Sequence, residues 1–180
     1  MKKFLTIIPL VILLCFTFSC QNKEAMAELE AMKTQAEVEE QNKDVALKFL
    51  EELDRGNIEN VMELFAPNFL WYTPSNSPTP MSKEETYEFL KMIYEAFPKW
   101  QHKMEEIIAV GDKVITRAID YTTHEGEFQG IPATGNKVEF GVIVIYSIDK
   151  GKIVEMREEG DMLGFFQQLG MELQPKEESK

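Results

Sequence analysis

Apolar residues run almost without interruption from Phe4 to Phe18, relieved only by Thr6, Pro9 and Thr17. Preceded by Lys2 and Lys3, this run is too short for a spanning helix, which needs about 20 apolar residues, and it suits the apolar part of an export signal. From Gln21 to Gln41 the pattern changes to Glu, Gln, Lys, Ala and Met, without Gly or Pro. Such residues favour a helix. The apolar positions Ala25, Leu29, Met32 and Ala36 form only a thin stripe, so the segment is expected to be a charged helical tether rather than a coiled coil, whose seam needs about three or four heptads.

Denser patterning begins at Asn42. Val45, Ala46, Phe49, Leu50 and Leu53 mark one face of a helix that Gly56 ends. Asn57 is placed to cap a second helix carrying Ile58, Val61, Met62, Leu64 and Phe65, with Pro67 as its stop. Phe69 to Tyr72 is predicted to be extended, and Pro74 to Pro80 to be a loop suited to a lid or rim. Ser82 and Glu85 form a capping box for a third helix that buries Phe89, Leu90, Ile93, Tyr94 and Phe97 before Pro98. After Trp100 the period shifts to that of strands, with turns at Gly111-Asp112, Gly126, Gly130 to Gly135 and Lys150-Gly151. Between Lys137 and Ile148, one face carries Val138, Phe140, Val142, Val144 and Tyr146, and the other Ile143 and Ile145. Apolar residues on both faces predict a second layer over the sheet, and a second copy of the chain is the economical source. The expected division is an export signal over 1–19, the tether over 20–41, an α+β domain over 42–172 and a polar tail over 173–180.

Charge and cysteine content narrow the chemistry. A formal net charge of −12 makes nucleic acid an unsuitable partner. Both cysteines, Cys15 and Cys20, lie in or beside the leader, so the domain has neither a disulfide nor a thiolate metal site. With His102 and His124 as the sole histidines and no His-x-x-x-His spacing, no metal is expected.

Phe16-Thr17-Phe18-Ser19-Cys20 resembles a bacterial lipoprotein signal, in which the Cys becomes the acylated N-terminus. That resemblance implies a domain outside the cytoplasm, anchored in the cell envelope through Cys20; several acyl chains, at about 0.8 kcal/mol per buried CH₂, hold without a transmembrane helix. Ordinary cleavage is the alternative, since Thr17-x-Ser19 and Ala25-x-Ala27 also have small residues at the required spacing.

Within the domain, Thr123-His124-Glu125-Gly126, Gly130-Ile131-Pro132-Ala133-Thr134-Gly135, Gly151-Lys152-Ile153 and Asp161 followed by Gln167-Gln168-Leu169-Gly170 occur in the order found in SnoaL-like polyketide cyclases, or ester cyclases. The chain resembles that family, part of the nuclear transport factor two-like superfamily, from about Asn42 to Gly170. The resemblance implies an α+β cone-shaped barrel, with N-terminal helices packed on a strongly curved, mainly antiparallel sheet around an apolar pocket, usually in a homodimer. It also implies cofactor-free aldol closure with an acidic proton relay, and carries that role to Asp161. A carboxylate in an apolar pocket has its pKa raised and can act near neutral pH beside a carbonyl. Asp161 equally fits the N-cap of a short terminal helix. His124, in the Thr-His-x-Gly motif, is a second catalytic candidate. Trp71, Tyr72, Phe128, Tyr146 and Arg157 are candidate ligand contacts. Tyr72 and Arg157 depart from the family, where a His and a Trp are common. Glu155, Arg157 and Glu159 on one strand face also suit an ion network. His102 has no motif and no assigned role.

Two functions follow as expectations: a tethered domain binding a small apolar molecule, or an acid–base enzyme acting on a carbonyl compound through Asp161. Export favours binding, because polyketide substrates are made in the cytoplasm.

Overall fold

The computed structural model describes residues 7–172 and 174, with side chains described from Lys23. The basic start Met1-Lys2-Lys3 and nearly all of the expected tail therefore lie outside the described residues, as does the side chain of Cys20. The chain divides into two units, residues 1–38 and 39–180. In the first, residues 7–38 are helical, and every described side chain from Lys23 to Val38 is exposed. Among the described residues, no helix is long and apolar enough to cross a membrane.

The second unit is α+β. Helix α1 (Ile7–Asp54) ends in it, followed by α2 (Ile58–Leu64), β1 (Phe65–Tyr72), β2 (Met81–Ser82) and α3 (Lys83–Ala96). Four long strands come next, β3 (Gln101–Val110), β4 (Lys113–Thr123), β5 (Lys137–Asp149) and β6 (Lys152–Gly160), and then α4 (Met162–Gln168). The strand order is β2-β1-β6-β5-β4-β3, antiparallel except for the β1–β6 pair. The sheet is curled but open, with β2 and β3 at its edges.

Local signals account for most boundaries. Gly56, at φ +70°, takes the left-handed turn that ends α1. Ser82 accepts from Glu85 N while the Glu85 side chain accepts from Ser82 N, completing the capping box of α3. Two expectations need correction. Asn57 does not cap α2 with its side chain; its Nδ2 donates to Glu52 Oε2 at 2.9 Å, because the buried Glu52 carboxylate demands donors. Asn60 and then Asn57 donate to Glu52 and hold its carboxyl below its usual range. Nor does α2 reach Pro67. It stops at Leu64, and Phe65, Ala66 and Pro67 belong to β1, where Phe65 stacks on Phe69 with ring centroids 3.8 Å apart.

Strict alternation on β4 and β5 turns Val114, Thr116, Ala118, Val138, Phe140 and Val142 inward. Ala46, Phe49, Leu50 and Leu53 of α1 and Leu90 and Ile93 of α3 join them in one apolar cluster. On the other face Ile143 and Ile145 are 46% and 39% exposed.

Candidate functional site

The helices and the concave face of the sheet do not meet completely. They leave a cavity of about 150 Å³, walled mainly by aromatic and aliphatic side chains that include Phe49, Ile93, Trp100, Phe140 and Val144. His102, Asp120 and Glu158, from three different strands, line this apolar space, and Asp54 at the end of α1 holds His102 without itself lining it.

Asp120 sits on β4 in phase with the buried residues Thr116 and Ala118, so alternation alone turns its carboxylate inward, where it is 5% exposed. His102 on β3 is its direct cross-strand partner. Trp100 Nε1 donates to Asp120 Oδ2 at 3.0 Å, and His102 Nε2 lies 3.6 Å from the same oxygen. On its other side His102 is held by Asp54, the last residue of α1. Asp54 Oδ1 accepts from His102 N at 3.0 Å and lies 2.6 Å from His102 Nδ1. Asp120 Oδ1, also buried, has no partner at all. An unpaired buried carboxylate oxygen costs about 1–3 kcal/mol or more.

Burial pulls the His102 pKa down, but its hydrogen bond to Asp54 and the charges of Asp120 and Asp54 outweigh this and raise it. Burial raises Asp120 despite the opposing effects of His102 and the Trp100 N–H. Both groups thus hold protons more tightly than in water, as expected where three carboxyls share one imidazole in an apolar setting. Glu158, level with Val144 on β6, faces the same cavity. Burial first, and then the charge of Asp120, push its carboxyl up to about 7. Burial likewise pushes up the phenols of Tyr94 and Tyr146.

The residues expected from sequence separate into two groups. Trp71, Phe128 and Tyr146 line the cavity. Asp161, His124, Tyr72 and Arg157 do not. Asp161 is exposed and accepts from Gly164 N at 2.8 Å as the N-cap of α4, satisfying a donor that the helix start would otherwise leave open. His124 is fully buried, stacked on Phe97 at 5.0 Å, and its Nδ1 accepts from Thr134 N at 3.3 Å. It locks the loop between β4 and β5. In the same motif Gly126 closes on α3: Glu125 N and Gly126 N both donate to Ala96 O at 2.9 Å, and a Cβ on Gly126 would lie 2.4 Å from Glu95 O. Arg157 is paired with Glu155 at 2.9 Å, donates to Ser75 O at 2.8 Å and covers the Tyr72 ring at 4.0 Å. With Glu159 accepting from Ser75 N at 3.1 Å, these groups hold the Pro-rich loop by an ion network.

Asp54, His102, Asp120 and Glu158 were missed by motif reading. Their signal was phase: Asp120 and Glu158 are charged residues at positions where the alternation requires an inward side chain.

The profile described as SnoaL-like polyketide cyclase matches residues 44–169. No curated protein matches at a significant level. Among solved structures, AclR, a proposed hydroxylase from Streptomyces galilaeus, superposes with a TM-score of 0.68 at 23% identity, covering 73% of this chain and 97% of its own. IdmH, a proposed polyketide cyclase from Streptomyces antibioticus, gives 0.64 at 27% identity over 72% and 99%. A proposed SnoaL-like polyketide cyclase from Jannaschia sp. CCS1 gives 0.67 at 24% identity over 75% and 95%.

Proposed function

The chain belongs to the SnoaL-like polyketide cyclase family, and from that premise we propose that its cavity takes up a small, largely apolar carbonyl compound and moves a proton on it, with Asp120 as the acid–base group. The carrying observation is the Asp120 carboxylate: one oxygen is fixed by Trp100 and faces His102, and the other is buried with no partner. An oxygen so placed is ready to take a proton from carbon beside a carbonyl. His102, oriented by Asp54, stabilises the charge that Asp120 carries between turnovers. The role assigned from sequence to Asp161 moves to Asp120 in this reading. The likeness to IdmH supports the reaction class.

A cavity of about 150 Å³ is the size that accepts a benzene ring, so acetophenone is a suitable probe. The protein is expected to speed deuterium uptake at its methyl group in D₂O, followed by proton NMR. Asp120→Asn should abolish the acceleration. A wild-type rate equal to that of buffer, or an unimpaired Asp120→Asn variant, would refute catalysis and leave binding as the function.

The domain is proposed to be exported and held at the cell envelope through Cys20, on the strength of the leader's resemblance to a lipoprotein signal. Mass spectrometry of the mature N-terminal peptide tests this, and an unmodified peptide refutes it. A homodimer through the outer sheet face is proposed from the exposed Ile115, Tyr121, Ile143 and Ile145. Light scattering showing a monomer at micromolar concentration would refute it.

A further inference from the structure

Asp120, His102 and Asp54 account for one polar station of the cavity. Glu158 belongs to none of their hydrogen bonds, yet it sits on the inward row of β6 beside Met156 and lines the same space. Its register partner Val144 pairs in turn with Thr116 of β4. Glu158 therefore enters from the β6 side of the cavity, and Asp120 from the β4 side. Trp71 Nε1, which also lines this space, is buried without a partner. The Trp71 indole and the Thr73 hydroxyl bear on the Glu158 carboxyl. The cavity thus has a second polar corner in an otherwise apolar wall.

Resting on the reading of this cavity as the ligand site, we propose that Glu158 binds as a neutral acid, donating its carboxyl O–H to an oxygen of the ligand. The ligand class is thereby narrowed to uncharged, oxygen-bearing apolar molecules such as aryl ketones. Hydrocarbons lack the acceptor. Carboxylates and phosphates would add a negative charge to a space lined by two acidic side chains, Asp120 and Glu158, and by His102 as its one basic group.

The groups facing Glu158 define its protonation. Asp120 from β4 keeps the proton on, His102 from β3 opposes this, and Trp71 and Thr73 also favour the ionised form. Tyr146 on β5 interacts with Glu158 and stays neutral, its own phenol pushed up by burial. Arg157 and Glu155 are paired with each other instead. With the carboxyl pushed up to about 7, the donor is present in mildly acidic solution and lost as pH rises through neutrality.

The test compares three probes of one size, acetophenone, ethylbenzene and benzoate, by NMR titration of the full chain. At about pH 5.5 the wild type should bind acetophenone roughly five- to tenfold more tightly than ethylbenzene, the value of one hydrogen bond, and benzoate most weakly. By about pH 8.5 the ketone preference should vanish. Glu158→Gln, which retains a donor, should keep the preference and lose its pH dependence; Glu158→Leu should lose the preference at every pH. Asp120→Asn should lose deuterium exchange yet keep the ketone preference in acid, with the loss of preference moved to lower pH because the charge that helps hold the Glu158 proton is gone; this separates the proposal from the catalytic one. No ketone preference in the wild type, tighter binding of benzoate, or a pH step that survives in Glu158→Gln overturns it.

Discussion

Replacing Glu158 with Gln removes one titrating group at nearly constant volume, and its effect on stability can be worked from the structure. Burial, reinforced by the charge of Asp120, moves the carboxyl from its usual 4.5 up to about 7. The folded protein therefore binds this proton more tightly than the unfolded chain does. Between those two values the folded state carries more protons, so stability falls as pH rises across the window. At ~1.4 kcal/mol per unit the ceiling is about 3.5 kcal/mol, and water entering at the cavity mouth brings the expectation to about 2 kcal/mol. The assay is urea denaturation of wild type and Glu158→Gln from about pH 4.5 to 8, reading the midpoint at constant slope. Because His102 and Asp120 interact with Glu158, the difference between the two proteins reads the Glu158 proton together with its coupling to these neighbours. The wild type should lose about 2 kcal/mol relative to the variant as pH rises. Parallel curves would show that the carboxyl is solvated, and the buried acid would have to be abandoned.

Three further outcomes follow from particular contacts. Asp54→Asn removes the acceptor and the charge that raise His102, so the midpoint of its NMR titration should fall; an unchanged His102 midpoint would refute the coupling. Gly126→Ala forces a Cβ to 2.4 Å from Glu95 O and should cost about 2 kcal/mol or more in thermal or urea unfolding; wild-type stability would show that α3 and the loop can part freely. Asp161→Ala should cost about 1 kcal/mol through the lost cap of α4 while leaving acetophenone binding unchanged; lost binding with intact stability would return Asp161 to the site.

Local and periodic features of the sequence determined a great deal. The α+β order, the capping box at Ser82, the left-handed turn at Gly56 and the inward row of β5 all depend on neighbours within a few residues. They are legible wherever side-chain period and backbone preference agree. The ordered short motifs also pointed to the family. What those motifs do was another matter: His124, Gly126 and Asp161 fasten a loop and a helix end. The grouping of ionisable side chains at the cavity was decided by tertiary structure. Asp54, His102, Asp120 and Glu158 lie on α1, β3, β4 and β6, and no local spacing relates them. Strand register sets His102 opposite Asp120, the end of α1 brings Asp54 to the imidazole, and curling of the sheet turns Glu158 into the same space. Burial raises the Asp120 and Glu158 carboxyls only once the walls that exclude water have been assembled.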